Sequence, residues 1–151
     1  MLDWINSLDI NELKFVAPVL FFLDENPEDA ALFLYREGFP TPMNAVGDKE
    51  HFRRIVEEEL QQRPPKKYWE QVKKEIYILI CTKDPKYSKL RNSLRDANEK
   101  GTKYVVTVIS SAIGSVMGVE AGVISAFCAV LLHSVVKIGV AAYCAGNINR
   151  H

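Results

Sequence analysis

The sequence lacks every short motif that marks a common catalytic or nucleotide-binding site. It contains no HExxH, CxxC, GxxxxGK[ST], GxSxG or GxGxxG, so none of the enzyme classes that these motifs identify is indicated. His51 lies among charged residues of a predicted helix, and Glu57, Glu58 and Glu59 are consecutive, so they fan around that helix instead of forming a carboxylate pair. We therefore expect no enzyme activity, no cofactor and no metal site.

Cysteine is scarce as well. The chain has an odd number of cysteines, and their spacing is not that of metal ligands. They are Cys81, Cys128 and Cys144. Two of them lie in an apolar stretch, where a free cysteine behaves as a small hydrophobic residue. This usage predicts a reducing compartment for the soluble part. The first residues, MLDWINSLDI, lack a basic region, so no secretory signal is expected.

No convincing strand pattern occurs, and the local signals are those of helices. Asp9 with Glu12 three residues later predicts a capped helix that Pro18 interrupts, and Asn26-Pro27 predicts another helix start. Further helices are predicted at 48–62, at 68–81 after the breaker RPPKK, and from Asp84-Pro85 onwards. The predicted fold class is all-α: a small helical soluble domain followed by a long apolar helix or a helical hairpin.

Aromatic residues gather near the start of the chain. Trp4 with Phe15, Phe21 and Phe22 predicts a small core, and an amphipathic surface anchor is the alternative.

The net charge is zero, but the charges are unevenly distributed. Residues 1–62 carry 13 acidic and 5 basic residues, whereas residues 63–103 carry 12 basic and 5 acidic residues. The basic block ends directly before the apolar stretch, and basic flanks favour the cytoplasmic side of a membrane. The acidic and basic parts could instead pair with each other, within one chain or between copies.

Residues 104–144 form an apolar stretch with two formal charges. About 20 apolar residues cross a bilayer as a helix. The segment 105–119 is short for a span, whereas 121–144 has 24 residues and is long enough. These lengths favour membrane insertion, and the alternative is a buried helix or helix pair in the core of a soluble protein. We divide the chain into a helical domain at 1–103, apolar helices at 104–146 and a polar tail at 147–151.

Small residues recur every fourth position within this stretch. On a continuous helix they would form one stripe for close helix packing in an oligomer. The stripe consists of Ser110, Gly114, Gly118, Gly122 and Ala126. Three ionisable residues interrupt the apolar character, and we expect them to line a pore or a polar seam, since such groups are costly in lipid. They are Glu120, His133 and Lys137.

Cations alternate with aromatic residues in the basic block. This pattern suits single-stranded nucleic acid, a nucleotide-derived ligand or a membrane surface, and an ordinary charged helix with a buried Trp is the alternative. The candidate contact residues are Lys66, Lys67, Trp69, Lys73, Lys74 and Arg91.

The layout, with residues 104–144 behind a basic soluble domain, resembles the small transmembrane effectors of bacterial anti-phage defence systems of the Hailong type. The resemblance is one of architecture, and no motif allows functional residues to be transferred. It implies an oligomer in the bacterial inner membrane, with a cytoplasmic domain, that stays silent until a partner or a nucleotide-derived ligand releases it. Activation would then depolarise the membrane. The rival hypothesis is a soluble cytoplasmic all-α interaction module that oligomerises through its apolar C-terminal helices.

Overall fold

The computed structural model describes residues 3–35 and 63–148. These residues form helices and turns with no strand among them, which confirms the all-α fold class. The helix predicted at 48–62 lies outside the described residues, and so do His51 and the three consecutive glutamates.

Three short helices form the first part of the chain: α1 (Asp3–Asn6), α2 (Ile10–Val16) and α3 (Pro27–Leu32). The Asp9 carboxylate accepts hydrogen bonds from the backbone N–H groups of Asn11 and Glu12. The Asn26 side chain caps α3 in the same way, with Pro27 at its first position. These caps satisfy N–H groups that a helix start leaves unpaired. Both predicted starts are confirmed.

The middle of the chain forms two helices, α4 (Lys66–Cys81) and α5 (Ser88–Leu94). Helix α4 begins directly after Pro65, so it includes Lys66 and Lys67, the last two residues of the predicted breaker, and starts two residues before the predicted helix. Between the two helices, Asp84 caps a single 3₁₀ turn at Pro85–Tyr87, whose proline suits a first helical position.

The apolar stretch folds as a hairpin followed by a short helix. Its helices are α6 (Thr102–Met117), α7 (Ala121–Ile138) and α8 (Val140–Ile148). Gly118 ends α6 in the left-handed conformation, with φ of 76° and ψ of 30°, a geometry that glycine adopts without steric cost. The hairpin form of the prediction is therefore confirmed, with Glu120 at the turn.

Helix α7 lies at the centre of the molecule. It contacts α1, α2, α3, α4, α6 and α8. Every residue from 127 to 133 is buried. Seven residues make nearly two helical turns, so all sides of the helix are covered over this length. The indole of Trp69 in α4 packs against the ring of Phe127 with centroids 5.4 Å apart. Helices on both sides of position 103 thus share one core.

The aromatic cluster predicted as a core is only partly buried. Trp4 is buried, whereas Phe15 is 73% and Phe22 is 86% exposed. The seven-residue helix α2 buries Leu13, and the chain then buries Ala17 and Leu20. The phenylalanines fall between these inward positions, which is why that part of the prediction is wrong.

A disulfide joins Cys81, the last residue of α4, to Cys144 in α8, while Cys128 is free and buried. The cysteine count alone had favoured a reducing compartment, and this bond removes the basis of that inference. The bond fixes the last helix to a helix 63 positions earlier in the chain.

The α6–α7 turn requires glycine at position 114 for a close approach. The backbone N–H of Val119 donates to the Gly114 carbonyl oxygen at 2.9 Å. A Cβ atom at position 114 would lie 2.6 Å from the Val119 carbonyl oxygen, whereas a Cβ at Gly122 meets nothing within 4 Å. Gly114 and Gly122, two of the three glycines of the predicted stripe, therefore differ in their surroundings.

We predict that Gly114→Ala destabilises the protein and that Gly122→Ala, the matched control, does not. Forcing an atom against fixed backbone costs about 1–3 kcal/mol. That cost outweighs the gain of about 1 kcal/mol that alanine brings to a helix. Urea unfolding followed by circular dichroism measures both values. Equal changes in the free energy of unfolding for the two substitutions would contradict the requirement for glycine at position 114.

Candidate functional site

Two of the predicted ligand contacts, Trp69 and Lys73, are already hydrogen-bonded to another residue of the same chain. Trp69 is fully buried, and its indole N–H donates to Glu28 Oε1 at 3.1 Å. Lys73 Nζ donates to Glu28 Oε2 at 2.9 Å and lies 3.1 Å from Glu70 Oε2. A buried indole cannot serve as a stacking surface for bases. The basic helix α4 instead pairs with acidic α3, which is the within-chain pairing considered from the charge distribution.

The remaining lysines of this set stay in solvent. Lys66, Lys67 and Lys74 are exposed. Lys66 Nζ lies 5.9 Å from the ring centroid of Tyr35, and Lys67 Nζ lies 5.8 Å from that of Tyr68. Exposed cation–π contacts of this kind are weak. Contact of these three lysines with a ligand or with lipid stays a prediction.

Arg91 stabilises the end of α4 instead of standing free for a ligand. Its guanidinium donates to the carbonyl oxygens of Leu79, Asp84 and Ile78 at 3.1, 2.6 and 2.9 Å respectively. A helix ends with unpaired carbonyl groups and a partial negative charge, and a cation with several donors satisfies both. The assignment of Arg91 as a ligand contact therefore gives way to a capping role.

A cleft of about 230 Å³ opens beside this cap, and we call it the basic cleft. Its apolar residues come from α1 and from the last turn of α4, and its cations come from α5 and the segments around it. The lining consists of Trp4, Leu79, Ile80, Cys81, Thr82, Lys83, Arg91 and Arg95. None of these residues is acidic.

Sequence reasoning missed Lys83 and Arg95 as site residues. The available signal was that Arg91 and Arg95 are four residues apart and thus share a helix face if the helix continues. Trp4 could not have been assigned to the same place, because it lies in α1, more than 70 positions away from the other lining residues.

The predicted small-residue stripe is divided by the turn. Ser110 and Gly114 are buried on α6, and Gly118 is the residue at which α6 ends. Gly122 is exposed at the start of α7, and Ala126 is half-buried. The five residues do not share one helix face. Their role in an oligomer stays a prediction. Gly118→Leu cannot test it cleanly, because the positive φ strains any side chain there.

The three ionisable residues of the apolar stretch occupy two places. Glu120 is exposed at the hairpin turn, 13 positions before His133. Lys137 Nζ donates to the backbone oxygen of Asp24 at 3.2 Å, and His133 is buried on the same face of α7. Burial and the charges of Lys14 and Lys137 lower the pKa of His133, while Asp24 opposes the shift. Lys137 thus links α7 to the segment that follows α2; a pore role stays a prediction.

A second cluster of polar side chains lies between α4 and the 3₁₀ turn that precedes α5. The Tyr87 hydroxyl donates to Glu75 Oε1 at 2.6 Å, and Lys86 Nζ lies 2.7 Å from the same oxygen. Desolvation and the hydrogen bond to Glu75 raise the pKa of Tyr87. Burial raises the pKa of Cys128 to about 12, although its contact with Ser110 opposes this. Cys128 therefore stays a neutral thiol near pH 7, which makes it a poor nucleophile.

Within 3–35 and 63–148, no three His, Cys, Asp or Glu side chains lie together as metal ligands would. Comparison with protein-family models, with curated proteins and with solved structures finds no match. Functional interpretation therefore depends on the residues of this chain alone.

We predict that reduction of the Cys81–Cys144 disulfide destabilises the folded state. The disulfide joins residues 63 positions apart and so restricts the unfolded chain. Closing a loop of that length is expected to stabilise the fold by about 4 kcal/mol. Thermal unfolding with and without a phosphine reductant measures the effect, with thiol titration to verify reduction. Cys144→Ala is the control, because the reductant should not change its melting temperature. An unchanged melting temperature in the fully reduced wild type would contradict the prediction.

We predict that protonation of His133 destabilises the fold. The pKa of His133 in the folded protein lies below its ordinary value of 6.5, so below that pH the unfolded chain binds the proton first. The contribution of neutral His133 to the free energy of unfolding is therefore complete above pH 6.5. It is lost as the pH drops towards the pKa of His133 in the folded protein. Urea unfolding between pH 7.5 and 5 measures this, and His133→Gln should show a shallower decline. Parallel curves for the two proteins would refute the prediction.

Proposed function

We propose that this protein is a water-soluble, non-catalytic helical interaction module whose apolar hairpin α6–α7 forms its own core. The observation that carries the proposal is the burial of every residue from 127 to 133. Over this segment helices of the same chain cover α7 on all sides, so its apolar surface there is buried without lipid. Half of the full helix Ala121–Ile138 is buried, and the exposed residues lie at its two ends.

The outer face of α6 supports the same proposal. Thr107, Ser111 and Ser115 are exposed along this face, while Val106 and Ile109 are buried against the core. Hydroxyl groups towards the outside and branched apolar residues towards the inside are typical of an amphipathic helix at a water-facing surface. The Thr107 hydroxyl donates to the Lys103 carbonyl oxygen at 2.9 Å, whereas lipid would offer the Ser111 and Ser115 hydroxyls no hydrogen-bond partner outside their own helix.

One apolar surface that association between copies could bury is the closed end of the hairpin. Val116 and Val123 are 48% and 40% exposed there, on either side of the turn that contains Gly118. Exposed Gly122 adds a flat, apolar position beside them. Association between copies at this end would bury these apolar residues.

Membrane fractionation with an alkaline carbonate wash, followed by sedimentation of the soluble protein, tests the proposal. We expect the protein in the supernatant without detergent, as a defined oligomer. Val123→Asp should shift it towards the monomer, because association would bury the new charge. Thr107→Asp, on the outer face of α6 and away from the turn, is the matched control and should leave the oligomer unchanged.

Two results would count against this proposal. Retention in the washed pellet until detergent is added would contradict solubility. A wild-type protein that sediments as a monomer at every concentration would contradict association through the hairpin.

The membrane-effector hypothesis is the second proposal. Helix α7 favours it, since Ala121–Ile138 is long and apolar enough to cross a membrane, although a buried core helix meets the same criterion. In that case α7 would have to leave its contacts with α2 and α4 before insertion. Detergent-dependent extraction together with loss of membrane potential on expression is the result that would favour this proposal over the first.

A further inference from the structure

We propose that the basic cleft is a binding site for a small amphiphilic carboxylate, such as a medium-chain fatty acid. This inference goes beyond the proposed association of the protein and does not depend on it. Three features of the cleft carry it: its apolar wall, its uncompensated cations and its fixed position.

The wall of the cleft is apolar and shaped by packed residues. Trp4 and Leu79 are almost completely buried, and Ile80 is 6% exposed, so each presents only an edge to the opening. Drug-sized ligands occupy pockets of about 300–1,000 Å³. A cleft of about 230 Å³ therefore suits a smaller body, such as a short alkyl chain or a single ring.

The cleft is lined by more cations than are needed to cap the end of α4. At the end of α4, Arg91 donates to the carbonyl oxygens of Leu79 and Ile78, and the Thr82 hydroxyl donates to the Ile78 oxygen as well. The macrodipole of this helix end amounts to about half a negative charge, so one cation is enough to cap it. Lys83 and Arg95 line the same cleft and are exposed. Neither side chain makes a hydrogen bond or an ion pair with any residue of 3–35 or 63–148. Two cations beside an apolar wall, with no acidic residue in the lining, complement one anionic head group.

The position of the cleft is fixed before any ligand arrives. Cys81 in its wall is bonded to Cys144 of α8, and Arg91 links α5 to the last turn of α4. A site held in place in the free protein loses little conformational entropy on binding. The head group would meet Lys83 and Arg95, and the apolar body would lie along Ile80.

Octanoate is the probe that tests the proposal. Titration of the full-length, oxidised protein is followed through the indole N–H resonance of Trp4 in ¹H–¹⁵N spectra and by calorimetry. We expect a saturable shift of this resonance. The double variant Lys83→Gln/Arg95→Gln should weaken binding about tenfold, since the head group would lose both charged partners. Lys89→Gln/Lys103→Gln removes two exposed cations outside the cleft and is the matched control, which should bind as the wild type does.

Two further ligands separate the contributions of charge and apolar body. Octanol shares the alkyl chain and should bind at least tenfold more weakly, while acetate shares the head group and should cause no saturable shift. Equal binding of octanol and octanoate, or equal binding by wild type and the cleft double variant, would overturn the proposal. A shift of Trp4 that never saturates would do the same, because it would indicate partitioning without a site.

Discussion

The burial of α7 is the constraint on which the rest of the structure depends. This helix carries apolar side chains around its whole circumference, so it is stable in water only if other helices cover it on every side. The helices that do so include α1, α2 and α3, which have four, seven and six residues. Helices this short do not persist alone. They form here because packing on α7 compensates for the entropy of ordering them, and α7 in turn needs their cover.

Charge pairing follows from the same arrangement. Covering α7 with α3 on one side and α4 on another brings the acidic beginning of the chain against its basic middle. Glu28 then bonds both Trp69 and Lys73, and Asp24 meets Lys137. Partly exposed ion pairs of this kind add little stability each. Their main consequence is functional, because they occupy side chains that would otherwise be available to an anionic ligand.

The last turn of α4 concentrates several features within a few residues. Its carbonyl groups are capped by Arg91, its final residue forms the disulfide to α8, and its apolar side chains form the wall of the basic cleft. The cap and the disulfide hold this turn in place, and a ligand in the cleft would contact the same turn.

The sequence alone determined the local features of the fold. Capping residues, prolines and glycines act within a few positions of themselves, so Asp9, Asn26 and the turn before Ala121 could be predicted without knowledge of the rest of the chain. Apolar length predicted helices over 104–144 but left one long helix and a helical hairpin open. Only the tertiary structure decided the partners: that Trp69 faces Glu28 and Phe127, that Cys81 meets Cys144, and that Trp4 joins Arg95 around one cleft. These pairs are 41 to 91 positions apart. Nothing in the local pattern fixes which distant side chain a residue will meet, because that depends on how the helices cover α7.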